Sequence, residues 1–507
     1  MDFKLLDGES KDFGFLFTEM LKSNRAQLLN EIYVHERRAV LSKRFDDLIQ
    51  ELQRKQMPNL KTIKIAVSVR SLIDVQSIAK LAAKTENFTI SVFYEGHTVD
   101  ISDQEEIVTS VLNELHTNGN MKTKSLSIDS FVHRGGLSQL DPELLAKVVM
   151  KLSAFSIRNS GLTGTQVEKI IDKLTKAERC PLQTLILQGC PLTDVPPRLF
   201  KELPSRLGEL QLLDVEFMDS NQQHMLFSGM IQEKSTLKRL ALSDVEISPS
   251  IGHSLIVDGL TTLTELYLSY LSGETTKALL EHIANAPEVT LKKLTLRKSL
   301  DDFGLNMNNS RKNKPEKIDD NIFSRAIRKL KEVDLVGNKV DLSQTDKLFE
   351  DIVSFGSELH SLHLTFKPYW ANLNDYNAVR PFRNYMYGDT EVICNALLTI
   401  EDVHFLDFHV QCFNEFIQIA KRSPRVKTRS ITLTEKSLQH QRAFEDALRQ
   451  NPHIQFLPHK MNSRMMKLMK DPVVRNARVF YDTMNGANLE PGQFWTTDKE
   501  RTHPHFC

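Results

Sequence analysis

The sequence predicts an α/β repeat solenoid with parallel strands on a concave face and helices on a convex face. Three observations carry that prediction. One segment type, L-x-x-L-x-L with Leu, Ile, Val or Phe at the apolar places, recurs along most of the 507 residues. Its copies begin at nearly regular intervals. Between copies the apolar spacing changes from the alternation of a strand to the three-and-four spacing of a helix.

Seven copies are clear: LQTLIL from Leu182, LGELQL from Leu207, LKRLAL from Leu237, LTELYL from Leu263, LKKLTL from Leu291, LKEVDL from Leu330 and LHSLHL from Leu359. Weaker copies begin at Leu60, Thr85, Thr123, Leu152, Val403, Thr428 and Asn451. Successive starts are 25, 38, 29, 30, 25, 30, 26, 28, 39, 29, 44, 25 and 23 residues apart, so ten of the thirteen intervals lie between 23 and 30. Alternation places the apolar side chains of each copy on one face of a short strand and the intervening residues on the other. One unit cannot bury that apolar face alone, and stacking does so. The connecting segments read as helices. In TQVEKIIDKLTK, Val167, Ile170, Ile171 and Leu174 share a face. Ser102 and Glu105 have capping-box spacing ahead of Ile107, Val111, Leu112 and Leu115. About 14 strands at roughly 4.8 Å make an inner edge on the order of 60 Å, a length that suits a macromolecule better than a metabolite.

In motif and period, residues 58–457 resemble the leucine-rich-repeat family, and the longer, helix-containing units are most similar to its ribonuclease-inhibitor-type subclass. The resemblance implies a horseshoe-shaped solenoid that binds proteins on its concave face. The ninth position, where the family prefers Asn or Cys, holds Cys190 and Asn338 but also Val215, Val245, Leu271 and Lys367.

Composition narrows the functional classes. Apolar residues make up 40% and aromatics 7%, enough for a continuous core and too much for a disordered chain. Lys plus Arg and Asp plus Glu are equal at 65 each, so no global field draws nucleic acid or anionic lipid. The five cysteines, Cys180, Cys190, Cys394, Cys412 and Cys507, have neither disulfide-framework nor zinc-ribbon spacing and point to a reducing compartment. The acidic, polar start MDFKLLDGESKDFGF is unlike a signal peptide, and no window approaches the length of a membrane span. A cytoplasmic protein is expected.

Residues 1–57 carry helical periodicity without the repeat motif and are read as an N-terminal helical cap over the open end of the solenoid. The alternative, an adaptor-binding F-box-like module, lacks its L-P-x-E start. Insertions fall near residues 299–321, which is polar with a basic run at Arg311, Lys312 and Lys314, and near 366–391. The second holds Tyr369, Trp370, Tyr376, Phe382, Tyr385 and Tyr387 together with Arg, the composition either of interface hot spots or of a loop that folds back and packs its rings on the solenoid. Residues 458–507 form a Met-rich C-terminal cap and tail.

No phosphate-binding glycine loop, nucleophile elbow, H-E-x-x-H or paired C-x-x-C occurs, so the sequence offers no support for an enzyme or a cofactor. Candidate partner-binding residues lie on the outward strand positions: Tyr267, Lys293, Arg297, Glu332, Asp334 and His363, joined by Trp370 and Tyr385 of the aromatic insertion. Lys293 and Arg297 followed by Glu332 and Asp334 form a charge step, which either sets partner register or pairs internally. His363, Asp407 and His409 are candidate metal ligands, against the plainer reading that outward strand positions are polar by default. A protein-binding scaffold is the leading expectation. A substrate receptor of a ubiquitin ligase is one alternative. A small-GTPase regulator is another, although the basic tail departs from the acidic tail of that branch.

Overall fold

Each copy of the motif forms a strand because its β-branched and large apolar residues alternate with polar ones, the pattern a half-buried strand requires. The computed structural model describes residues 2–5, 30–35, 49–52, 54, 59–68, 75–93, 101–130, 136–215, 219–243, 245, 247–248, 250–269, 273–297, 319–334, 345–365, 395–396, 399–406, 430–433 and 455–458. The chain divides into two compact units, residues 1–250 and 251–507.

In the first unit the strands are β1 (Asp2–Leu5), β2 (Glu31–His35), β3 (Thr62–Ser68), β4 (Asn87–Phe93), β5 (Ser125–Ser130), β6 (Ala154–Arg158), β7 (Thr184–Gln188), β8 (Glu209–Leu213) and β9 (Arg239–Ser243). They lie in sequence order, and every neighbouring pair is parallel. Parallel neighbours need a crossover, which helices supply. These are α1 (Val75–Lys84), α2 (Ile101–Thr117), α3 (Pro142–Val149), α4 (Gly164–Lys176), α5 (Pro197–Glu202) and α6 (Ser220–Met230).

The second unit repeats the scheme. It comprises α7 (His253–Thr261), β10 (Glu265–Ser269), α8 (Gly273–Asn285), β11 (Lys293–Arg297), α9 (Asp320–Arg328), β12 (Glu332–Asp334), α10 (Thr345–Phe355), β13 (Ser361–Thr365), β14 (Asp402–Leu406), β15 (Ser430–Leu433) and β16 (Gln455–Pro458). Strands β10 to β16 are again parallel and in sequence order.

Register turns the motif into rows. Ile63, Phe88, Leu126, Phe155, Leu185, Leu210 and Leu240 follow one another across β3 to β9, and all are buried. Ile65, Ile90, Ile128, Ile157, Leu187, Leu212 and Leu242 make a second buried row beside them. In the second unit Leu266, Leu294, Val333 and Leu362 continue the same design. Two copies begin with Thr instead of Leu for a visible reason: Thr85 and Thr123 are buried, and their hydroxyls donate to the carbonyls of Leu81 and Ala82, at 2.8 Å each, at the end of α1.

Beyond β6, β7 and β8 the next residues, Asn159, Gly189 and Asp214, have φ of 47°, 63° and 47°. Only Gly, Asn and Asp adopt this left-handed region readily, and each N–H still donates one rung further, to Gln188, Leu213 and Ser243 respectively, at 2.9 Å. The ladder therefore ends in the same turn three times. Helix starts are also wired across units of the repeat. Thr163 and Gln166 form a capping box on α4, and the Gln166 amide donates to the Leu137 and Leu140 carbonyls at 2.9 and 2.6 Å. Asp219 and Gln222 do the same on α6, with the Gln222 amide on Leu192 and Val195 at 2.8 and 2.7 Å.

Four sequence readings need correction. Residues 1–57, read as a helical cap without the repeat motif, contain β1 and β2, and β2 carries an in-register copy of the motif, Leu29-x-x-Ile32-x-Val34, overlooked beside the helical periodicity. The Val403 copy is displaced by three residues, because Val403 pairs with Leu362 and the copy begins at Ile400. The Asn451 copy is displaced by two, because Phe456 pairs with Ile431. Helix α2 starts at Ile101, which puts Ser102 inside its first turn instead of at the cap. The two insertions and most of residues 458–507 lie outside the described residues.

Candidate binding surface

The face of each strand opposite the buried rows is set by residues at alternate places, and parallel register brings them side by side. In the first unit one outer row runs Lys64, Thr89, Ser127, Ser156 and Ile186 across β3 to β7. A flanking row runs Thr62, Asn87, Ser125, Ala154 and Thr184. All ten are partly exposed, while their strand neighbours in the core are buried. The surface is rich in hydroxyls.

Polar partners join across the strands. The Asn87 amide donates to Thr62 Oγ1 at 3.2 Å, Lys64 pairs with Glu31 at 2.8 Å, and Arg158 lies 4.0 Å from Asp129. At β8 the outer face closes: Glu209 is 5% exposed and Gln211 1%. The Glu209 carboxylate accepts from the Gln211 amide at 2.6 Å and from Thr184 Oγ1 at 3.3 Å, and pairs with Arg239 Nη2 at 2.6 Å. A carboxylate so removed from water is held only because several donors replace its hydration. This Thr184–Glu209–Arg239 row was missed in the sequence, although aligning the copies at Leu182, Leu207 and Leu237 puts all three residues at the same place.

In the second unit Tyr267, Lys293, Glu332 and Asp334 are the candidates whose side chains are described, and three of them are not exposed. Tyr267, Lys293 and Asp334 are 5%, 9% and 8% exposed, and Thr295 between them 2%. Alternation dictates which side of the strand a residue takes; accessibility depends on what packs there. Lys293 and Glu332 are same-register neighbours and pair at 3.0 Å, so the positive-to-negative step is satisfied within the sheet. Asp334 neighbours His363, and Arg297 is opposite Ser269 at the end of β11. The side chains of Arg297 and His363, and the whole of Trp370, Tyr385, Asp407 and His409, lie outside the described residues.

Titration behaviour separates structural groups from the surface. Burial pushes the thiol of Cys190 up to about 12, so it stays neutral inside the core. Hydrogen bonds from Lys169 and Lys173 hold the Glu143 carboxyl down at about 2 on the helix side. Among the described residues no helix is long and apolar enough to cross a membrane. No model of a known protein family matches the chain, and neither does any curated protein.

Proposed function

We propose that this chain is a recognition scaffold of the leucine-rich-repeat type, which binds a protein partner through the outward strand face, foremost that of β3 to β7. The observation that carries this reading is the partly exposed row Lys64–Thr89–Ser127–Ser156–Ile186, polar at its first four places although the Ser156 hydroxyl is itself turned out of solvent, held in register on five consecutive parallel strands. A rigid sheet presents such a row without a folding cost on binding, which favours affinity. Lys64 on β3 and Arg158 on β6 supply charges that orient a partner, and the small side chains of Thr89, Ser127 and Ser156 admit close approach. Support from the sequence is the motif and period described above.

The test is affinity capture with the intact chain beside two folded variants. One carries Lys64→Glu, Ser127→Arg and Ser156→Arg on the outer row. The other carries Lys176→Glu and Glu178→Lys on the exposed helix side. A specific protein retained by the intact chain and the helix-side variant, and lost from the outer-row variant, is the expected result. Equal capture by all three removes the strand face from the interaction.

A further inference from the structure

The chain as a whole is neutral, with 65 basic and 65 acidic residues, but its charges are not evenly spread. Where the chain enters β3 to β6 in the first unit, Lys61, Lys84, Lys122, Lys124, Lys147 and Lys151 are all exposed. Backbone hydrogen bonds bring these segments side by side. The Asn87 N–H donates to the Lys61 carbonyl at 2.9 Å, the Lys122 N–H to the carbonyl of Ala83, beside Lys84, at 2.9 Å, and the Ser153 N–H to the Lys124 carbonyl at 2.7 Å. Lys147 lies in the last turn of α3, one turn before Lys151.

Part of this charge has a structural use. Lysines in a last helical turn offset the negative end of the helix dipole, which covers Lys84 on α1 and Lys147 on α3. The Lys151 ammonium donates to the His116 carbonyl, in the last turn of α2, at 2.6 Å. Lys61, Lys122 and Lys124 instead stand directly ahead of β3 and β5, where no helix end requires a cation. Two carboxylates share the ridge: Glu86, which pairs with Lys124 at 3.2 Å, and Glu114, which accepts from the Asn118 amide at 2.9 Å. A clear positive surplus is left. At β7 the places of Lys122 and Lys124 are taken by Pro181 and Gln183, and the ridge ends.

Building on the protein-partner reading above, we propose that this lysine ridge binds an acidic segment of the partner, rich in Asp and Glu. The ridge borders the outer rows, since Lys61 and Lys124 immediately precede Thr62 and Ser125, so a partner lying on β3 to β7 passes over it. Ammonium groups on long, exposed stems meet carboxylates from several directions and act on the rate and register of docking. A single-stranded nucleic acid is held by aromatic rings on which its bases stack, and an anionic membrane by apolar anchors beside the cations. Among the described residues the exposed large apolar side chains are Ile231, Val353 and Phe355, none of them on this ridge. Charge without rings or anchors favours the acidic polypeptide.

The full-length chain is titrated into labelled decaglutamate, and fluorescence anisotropy is read at low and at raised salt. Binding that weakens with salt is expected. Lys84→Gln, Lys122→Gln and Lys147→Gln together should weaken it by at least ~10-fold, whereas Arg198→Gln, Lys277→Gln and Lys331→Gln, an equal loss of charge elsewhere, should change it by less than ~2-fold. Should the ridge variant not fold, acetylation of the intact chain, mapped by mass spectrometry, reads the same surface: decaglutamate should shield Lys84, Lys122 and Lys147 more than Lys277 and Lys331. No binding by the intact chain overturns the proposal, as does equal weakening in both variants or shielding without selectivity. Tighter binding of oligouridylate or of phosphatidylserine vesicles than of decaglutamate also overturns it, and assigns the ridge to RNA or to a membrane. The peptide needs only the ridge, and partner capture is read on the outer-row variant, so failure here is distinguishable from failure of the outer strand face.

Discussion

The outer faces of β3–β7 and of β10–β13 share one backbone plan and differ in their access to water. In the first unit Ser127 and Ser156 stand partly exposed in the middle of the row, whereas in the second Tyr267, Thr295 and Asp334 at the same repeat position are buried. The inner rows show no such difference: Phe155 and Leu294 are equally buried beneath their strands. The repeat therefore controls which way a residue faces, and tertiary surroundings control whether that face is open.

The largest expected effect tests the shared part of the comparison. Phe155→Ala in the first unit and Leu294→Ala in the second should each cost about 2–5 kcal/mol, read as lost hydrogen-exchange protection of the adjoining strands. A large loss in one unit alone would mean that the inner rows are not equivalent. Next comes the boundary at β8. Arg239→Ala leaves the Glu209 carboxylate buried without its guanidinium, and about 2 kcal/mol should be lost, less than for a fully buried pair because Arg239 itself is partly exposed. Urea sensitivity of β8 and β9 by hydrogen exchange checks it.

Lys293→Met should cost about 1 kcal/mol, because the partner Glu332 keeps some contact with water and the Met stem preserves the packing. The same readout on β11 and β12 applies. The smallest effect belongs to the helix side, away from both outer faces. The Glu143 carboxyl, whose ordinary value is 4.5, is held at about 2 by Lys169 and Lys173. Its contribution is complete above about pH 4.5 and fades as the pH falls towards 2. Glu143→Gln should therefore flatten the decline of thermal stability between those values and leave the outer-face measurements unchanged.

Much of the ladder was legible in the residues themselves. Wherever the three apolar places are filled by Leu, as at Leu182, Leu207 and Leu291, the strand and its partners fall where the motif puts them, since a one-residue slip would turn the apolar set to water. Register failed where two readings fit equally: Ile400-x-x-Val403-x-Phe405 and Val403-x-x-Leu406-x-Phe408 are both apolar patterns, and only pairing with Leu362 separates them. The strand at Ile32 was hidden by helical spacing in the residues before it. The burial of Tyr267, Lys293 and Asp334 had no local signal, because a strand pattern records the side a residue takes and nothing about long-range packing. The Lys293–Glu332 pair, by contrast, was already implied by the aligned copies at Leu291 and Leu330.

Thiol labelling tests the open-versus-closed contrast most directly. Ser127→Cys and Thr295→Cys place near-isosteric thiols at the same repeat position in the two units, and their labelling is followed by peptide mass spectrometry under native conditions. Ser127→Cys should react readily and Thr295→Cys at least ~100-fold more slowly, the signature of a site that must open before it reacts. Equal rates would show that the two outer faces are equally accessible and would remove the reason for placing the partner on β3 to β7.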